Sequence, residues 1–167
     1  MSKLFLAPAA GRQDAYSYLR ESVVNGVPEQ FLTEHFTDGA PSKHIWGLTE
    51  SLTGSWETVK SGDWILFYTR SNQYEYAARV VTTGEQPELG QEIRDKVLNP
   101  SSVDRDWTLL IFLEEPISVS VTGDHLSDLL NYGNKYPVRF IRVIEERAKR
   151  INSEYGSVDE FIAEIAE

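Results

Sequence analysis

The sequence predicts an α+β fold: a curved mixed or antiparallel sheet approaching a small barrel, flanked by helices. Three observations lead there. After one short strand, two helical patterns come first, and short β-rich runs then fill the middle of the chain with helical stretches inserted among them. Strands and helices do not alternate regularly, which argues against a βαβ repeat. Finally, the aromatic-rich runs 64–70 (WILFYTR) and 74–82 (YEYAARVVT) are parted only by Ser71, Asn72 and Gln73, the spacing of an antiparallel hairpin.

Taken in order, residues 3–9 (KLFLAPA) read as a short strand. Residues 13–25 place Tyr16, Leu19 and Val23 on one helical face, with Gly26 as the stop. Residues 28–36 form a second short helix with Pro28 at its first turn. Asp38-Gly39 is a turn, and 44–48 (HIWGL) is a strand. Residues 55–60 make a brief helical turn before Ser61-Gly62-Asp63 leads into the hairpin. Residues 88–98 are helical up to Asn99-Pro100. Strands at 107–113 (WTLLIFL) and 117–121 (ISVSV) follow, parted by Glu114-Glu115-Pro116. A short helix at 125–132, a last strand at 138–143, and a helix at 157–167 with Val158, Phe161, Ile162 and Ile165 on one side complete the chain.

A chain of 167 residues with 41% hydrophobic content suits one domain, spanning 1–167, with a full core. It holds no cysteine, which removes disulfides, thiolate metal sites and cysteine nucleophiles together. No stretch approaches the ~20 apolar residues of a membrane helix, and no signal-peptide pattern opens the chain. A cytoplasmic location without a membrane partner is the expectation. The end, SVDEFIAEIAE, stops within a helical pattern, as expected of the N-terminal domain of a longer protein.

Net charge is −10, which argues against a generic nucleic-acid coat. The distribution is uneven. Residues 135–150 carry six of the sixteen basic residues and two acids, a local charge of +4, so the remainder carries −14. Such a window is either a solvated helix face or a local phosphate contact on a surface that otherwise repels DNA. The phosphate reading assigns backbone contacts to Lys43, Arg70, Lys135, Arg139 and Arg142, with Arg147, Lys149 and Arg150 extending the patch.

No P-loop, HExxH or GxSxG occurs, and His35, His44 and His125 lie far apart without ligand spacing. No catalytic residue, metal or cofactor is therefore expected. His44, beside Trp46, is the histidine around which a composite site would have to form. Glu114 and Glu115 are adjacent and point apart on a strand, so they read as solvated turn residues.

The positive signal is aromatic. Trp46, Trp56, Trp64, Phe67, Tyr68, Tyr74 and Tyr76 lie close in sequence, and Trp107 and Phe112 follow. Core packing explains most of them, Trp64 included. Yet tryptophan and tyrosine are also the side chains that stack on bases. Tyr68 and Tyr76 fall on facing hairpin strands, so their rings would meet on one face if the register allowed it. Gly47, without a side chain, would let a ligand approach the backbone beside Trp46.

Residues 44–80 (HIWGLTESLTGSWETVKSGDWILFYTRSNQYEYAARV) resemble a segment of the EVE and YTH-like domains of the PUA superfamily. The matching pieces are Trp46-Gly47, the W-x-x-V-x-x-G-D element from Trp56 to Asp63, Phe67-Tyr68, and Tyr74 to Ala78. The run 107–116 (WTLLIFLEEP) is similar to a later strand and turn of YTH domains. Asn134-Lys135-Tyr136-Pro137 is similar to a loop in the specificity domains of modification-dependent restriction proteins of the McrB type. The resemblance spans roughly residues 42–143. It implies a PUA-like fold and a pocket for a flipped-out, often methylated base, lined by Trp46, Gly47, Trp56, Phe67, Tyr68, Tyr74, Tyr76 and Trp107. Flipping costs ~a few kcal/mol, and stacking returns ~1–3 kcal/mol per base. The chain lacks the Ser-rich lead-in of eukaryotic YTH readers, so the implied partner is methylated DNA, with RNA as the alternative. Motor and nuclease functions would sit on other domains or partner subunits. Two rivals of other classes remain: an enzyme with a composite site around His44, and a protein-interaction module presenting exposed tryptophans.

Overall fold

A computed structural model describes residues 2–9, 15–69, 71–97 and 107–167. Arg70 and the loop end of the 88–98 helix expectation lie outside the described residues.

The strands are β1 (Leu4–Pro8), β2 (His44–Leu48), β3 (Trp64–Tyr68), β4 (Gln73–Glu85), β5 (Leu109–Leu113), β6 (Ile117–Thr122) and β7 (Ile141–Val143). They form one open seven-stranded sheet in the order β2-β5-β4-β3-β1-β7, with β6 also paired to β4. Only β1 and β3 run parallel; every other named pair is antiparallel. The mixed, mostly antiparallel sheet read from the sequence is thus present, as is the hairpin. In that hairpin Ile65 faces Ala78 and Leu66 faces Ala77. Its turn holds Ser71 and Asn72 at φ 60° and 59°, the left-handed pair that matches strand twist in a tight hairpin.

β4 is the long strand that organises the rest. Tyr74, Tyr76 and Ala77 pair with both β3 and β6, so those two strands occupy its opposite edges. From Val80 to Glu85 it pairs instead with β5. The register shifts between Tyr74 and Tyr76 and between Val80 and Thr82, and such bulges bend a strand enough to serve several neighbours.

Helices cover both faces. The first core cluster joins Ile45, Trp46, Ile65 and Phe67 to Leu19, Val23, Leu32, Leu89 and Ile93. Leu19 and Val23 lie in the π-helical continuation (Leu19–Val24) of α1 (Ala15–Tyr18), and Leu32 in α2 (Glu29–Thr33). Leu89 belongs to α4 (Pro87–Glu92), which also runs on as a π-helical stretch; α3 is the single turn Thr53–Trp56. The second cluster joins Leu4, Leu66 and Tyr74 to α5 (Gly123–Leu130), α6 (Glu145–Tyr155) and α7 (Val158–Ile165). Both faces of β3 are therefore core, which explains its unbroken apolar run.

Several sequence expectations change: the helical turn expected over 55–60 is Thr53–Trp56, and the strand expected from Trp107 begins at Leu109. The strand expected over 138–143 shrinks to Ile141–Val143, and Phe140 just before it stacks on Phe5 at 5.3 Å. Helix α6 is an element that the sequence pattern does not announce. It follows that strand directly and is mostly exposed, so only Ala148 and Ile151 mark its buried face.

The W-x-x-V-x-x-G-D element is a structural clasp. Val59 is buried, Gly62 takes φ 92°, and Asp63 is buried. Asp63 accepts from the backbone N–H groups of Lys3 and Lys60 at 2.9 and 2.8 Å and pairs with Lys3 Nζ at 3.0 Å. One carboxylate thereby ties the entry of β1 to the entry of β3.

Candidate nucleic-acid interface

The aromatic residues sort onto two faces. Trp46, Phe67 and Trp107 meet on the first. Trp46 and Phe67 are edge-to-face with centroids 5.2 Å apart, and Trp46 and Trp107 are tilted at 5.7 Å. Tyr18 adds a fourth ring, edge-on to Trp107 at 6.4 Å. Tyr76 sits opposite Phe67 in the hairpin and packs against this cluster. Trp56 belongs to it too, with its Nε1 donating to the Leu110 carbonyl at 3.1 Å.

Tyr68 and Tyr74 lie on the other face, in the second cluster, edge-to-face at 5.2 Å. The expected meeting of Tyr68 with Tyr76 therefore does not occur. The register shift after Phe67 pairs Tyr68 with Tyr74 and leaves Tyr76 opposite Phe67. Tyr74 is fully buried, and burial with Tyr68 nearby pushes its phenol pKa up.

Gly47 also has a different occupant from the one expected. A Cβ there would lie 2.0 Å from the Trp107 ring, so the missing side chain admits the indole against the β2 backbone. Gly90 does the same for the Trp107 carbonyl, which a Cβ would meet at 1.5 Å. Two glycines from β2 and α4 thus seat one tryptophan.

Three buried hydrogen-bonding atoms of this region lack a partner among the described residues: Tyr18 Oη, Trp46 Nε1 and Thr108 Oγ1. Two of these residues are linked in space, since the Tyr18 ring touches Trp107 and Trp107 touches Trp46; Thr108 follows Trp107 in sequence. A buried polar atom without a partner costs roughly 1–3 kcal/mol, so such an atom calls for an ordered water or a ligand. Both donors and acceptors are present, which suits the mixed edge of a base.

Sequence reasoning missed Tyr18, Thr108 and Arg20. The exposed Arg20 donates to Tyr76 Oη at 3.3 Å and also bonds Tyr16. The i, i+4 spacing of Tyr16 and Arg20 was a usable signal, because it places both on one helical face. Tyr18 lies off the Tyr16–Leu19–Val23 stripe and could not be read the same way.

The basic window divides. Arg139 and Arg142 are exposed, as is Lys43, whose stem lies against Gly26. Lys135 is exposed but pairs with Asp124 at 3.5 Å. Arg147 donates to the Leu130 and Asn131 carbonyls and stacks on Tyr132 at 4.2 Å. Arg150 donates to the Asp128 carbonyl at 2.9 Å and flanks the Asp128 and Glu154 carboxylates. Arg147 and Arg150 thus cap the C-terminus of α5, where cations complement orphan carbonyls. Arg142 and Lys149 line a cleft of about 420 Å³ beside Lys3.

The histidines serve locally. His44 is buried with Nδ1 2.6 Å from the Val23 carbonyl, so it faces a backbone acceptor and not a carboxylate. His35 Nε2 lies 2.7 Å from Glu92, and the donor atoms of Glu34, His35 and Glu92 fall within 4.8 Å of one another. That trio has the donor set for a divalent cation, but Glu92 is already engaged by His35 and by Lys96 at 3.3 Å. His35 above all holds the Glu92 carboxyl below its usual pKa.

No protein-family model matches the chain, and no curated protein does. Solved structures do. The N-terminal domain of Thermococcus gammatolerans McrB, solved bound to m5C DNA, superposes with a TM-score of 0.67 at 19% identity, over 92% of this chain and 96% of that one. An ASCH protein of Zymomonas mobilis matches with a TM-score of 0.50 at 9% identity, over 91% and 96%. The YTH domain of Zygosaccharomyces rouxii MRB1, solved with N6-methyladenosine RNA, gives 0.49 at 16% identity, over 96% and 90%. The chain has the fold of the McrB N-terminal domain, so the resemblance read from the sequence holds at the level of architecture.

Proposed function

We propose that this chain is a reader of a modified base, taking a flipped-out methylated base of DNA into the Trp46–Trp107–Tyr18 cluster. The observation that carries this reading is the pair of partnerless buried atoms on the linked rings, Tyr18 Oη and Trp46 Nε1, with Thr108 Oγ1 one residue from Trp107. Trp46 and Trp107 are each 6% exposed, so a base reaches their ring faces as the cluster opens, and its edge then meets the orphan atoms with donors and acceptors. A methyl group adds apolar area that gains from leaving water among aromatic walls. Phe67 backs Trp46, Gly47 seats Trp107, and Tyr76 with Arg20 forms the adjoining rim. Exposed Lys43, Arg139 and Arg142, with Lys135, supply phosphate contacts on an otherwise acidic surface, and Arg70 is assigned the same role from the sequence.

The fold shared with a McrB domain solved on m5C DNA supports DNA as the partner, and the McrB-type resemblance of the 134–137 loop extends the reading to a specificity role in a modification-dependent restriction system. Catalysis in such a system belongs to motor and nuclease parts outside this domain. The test is a set of duplex and single-stranded DNA and RNA oligonucleotides that differ by one methyl group on cytosine or adenine. Tighter binding of one methylated DNA than of its plain counterpart supports the reading. Preference for methylated RNA would move the function to RNA, and equal affinity for all of them would remove it.

A further inference from the structure

We propose that Tyr136 is a second stacking station, whose outward ring face takes an unpaired base of the same nucleic acid. This deepens the base-reading proposal and rests on it. Tyr136 is 52% exposed, yet its ring is held. It lies over Tyr68 with centroids 5.5 Å apart and planes tilted by 31°, and Tyr68 in turn abuts the fully buried Tyr74. One face is thus backed by two further rings, and the exposure belongs to what remains. That is the form of a platform on which a base stacks.

The loop that presents the ring is built, not slack. Pro137 is buried, and Ser127 Oγ donates to the Asn134 carbonyl. Gly123 lets the loop close on the hairpin turn, since a Cβ there would lie 2.4 Å from the Lys135 carbonyl and 3.1 Å from the Tyr68 ring. Asn72 of that turn donates to Asp124 at 2.9 Å, and its buried Oδ1 has no partner among the described residues. A ring pre-positioned in this way loses little freedom when a ligand arrives.

Charge selects the occupant. The loop and the strand after it, residues 133–142 (GNKYPVRFIR), carry Lys135, Arg139 and Arg142 and no acid, in a chain of net charge −10. With Lys135 next to it in a pair with Asp124, and exposed Arg139 three residues on, the ring fits a base with its phosphates better than an apolar protein surface. Position links the station to the pocket. Tyr68 directly follows Phe67, which packs on Trp46 from the opposite face of the same strand. A nucleic acid that leaves one base with Trp46 can cross the end of β3 and set down another on Tyr136.

The experiment is fluorescence anisotropy of the 167-residue chain with the methylated duplex it prefers and with the same duplex unmethylated. Tyr136→Ala is expected to weaken both by about 5- to 100-fold and leave their ratio unchanged, while Tyr136→Phe binds as the original. Both variants should unfold within a few degrees of the original, because the ring is half in solvent. A Tyr136→Ala Kd within twofold of the original overturns the station while methyl preference still stands. A Tyr136→Phe loss equal to that of Tyr136→Ala also overturns it, by assigning the effect to the hydroxyl. If the original chain shows no methyl preference, the base-reading proposal fails and the station falls with it.

Discussion

Replacing Tyr18 by Phe separates a ligand-directed hydroxyl from a structural one. Tyr18 Oη is buried with no hydrogen-bond partner among the described residues, while the ring packs edge-on to Trp107 at 6.4 Å. Phe keeps the ring and removes only the orphan oxygen. The desolvation of such a group costs roughly 1–3 kcal/mol, so its loss should stabilise the free protein by about 1 kcal/mol after incomplete packing is allowed for. For a chain of this size that is a rise in Tm of about 2–4 °C. If the hydroxyl meets a base edge in the complex, one neutral hydrogen bond of ~0.5–1.5 kcal/mol disappears, and affinity for the preferred oligonucleotide falls about 2- to 12-fold. Calorimetric melting and anisotropy on the same sample read both quantities. Higher stability with weaker binding is the expected signature. A fall in Tm, or unchanged affinity, would refute the reasoning, since the hydroxyl would then be satisfied within the fold or turned away from ligand.

Gly47→Ala would drive a methyl to within 2.0 Å of the Trp107 ring, and should lower stability by ~1–3 kcal/mol with a shifted tryptophan emission, read by melting and fluorescence. Asp63→Ala strands the Lys3 and Lys60 N–H groups and the Lys3 ammonium, and should cost about 2–4 kcal/mol in chemical denaturation. The Glu92 carboxyl is held below its ordinary value of 4.5, first by His35 and then by Lys96. Its contribution to stability is therefore complete above the unfolded pKa and is lost as pH falls through the folded one; Glu92→Gln should flatten that acid limb in a Tm-against-pH series. Arg139→Ala and Arg142→Ala should each weaken binding to every sequence and reduce the slope of log K against log salt by ~1; unchanged slopes would make the patch a solvated face.

Much of the architecture was legible because it is written in short-range chemistry. The hairpin of β3 and β4 could be read from two β-rich runs around Ser71-Asn72-Gln73, and the left-handed conformations of Ser71 and Asn72 account for it. The aromatic cluster was legible as composition but not as geometry. Tyr76 pairs with Phe67, which leaves Tyr68 on the opposite face, and the register shift there brings Tyr74 rather than Glu75 opposite Tyr68; single-residue register shifts leave no mark on an alternating pattern. The bare backbone at Gly47 does mark a close approach, but its neighbour is Trp107, from a distant part of the chain. The Arg147 and Arg150 caps were invisible for the same reason: the carbonyls they meet belong to α5, on the far side of a loop. Tyr18 and Thr108 were missed because a partnerless buried oxygen is a property of the folded surroundings and not of the residue.

The most direct test of the account is a crystal structure of this chain bound to the methylated duplex it prefers. The account predicts the methylated base out of the helix, its ring against Trp46 or Trp107 and its edge within hydrogen-bond distance of Tyr18 Oη or Trp46 Nε1. A methylated base still stacked in the duplex, or lodged away from that cluster, would contradict it.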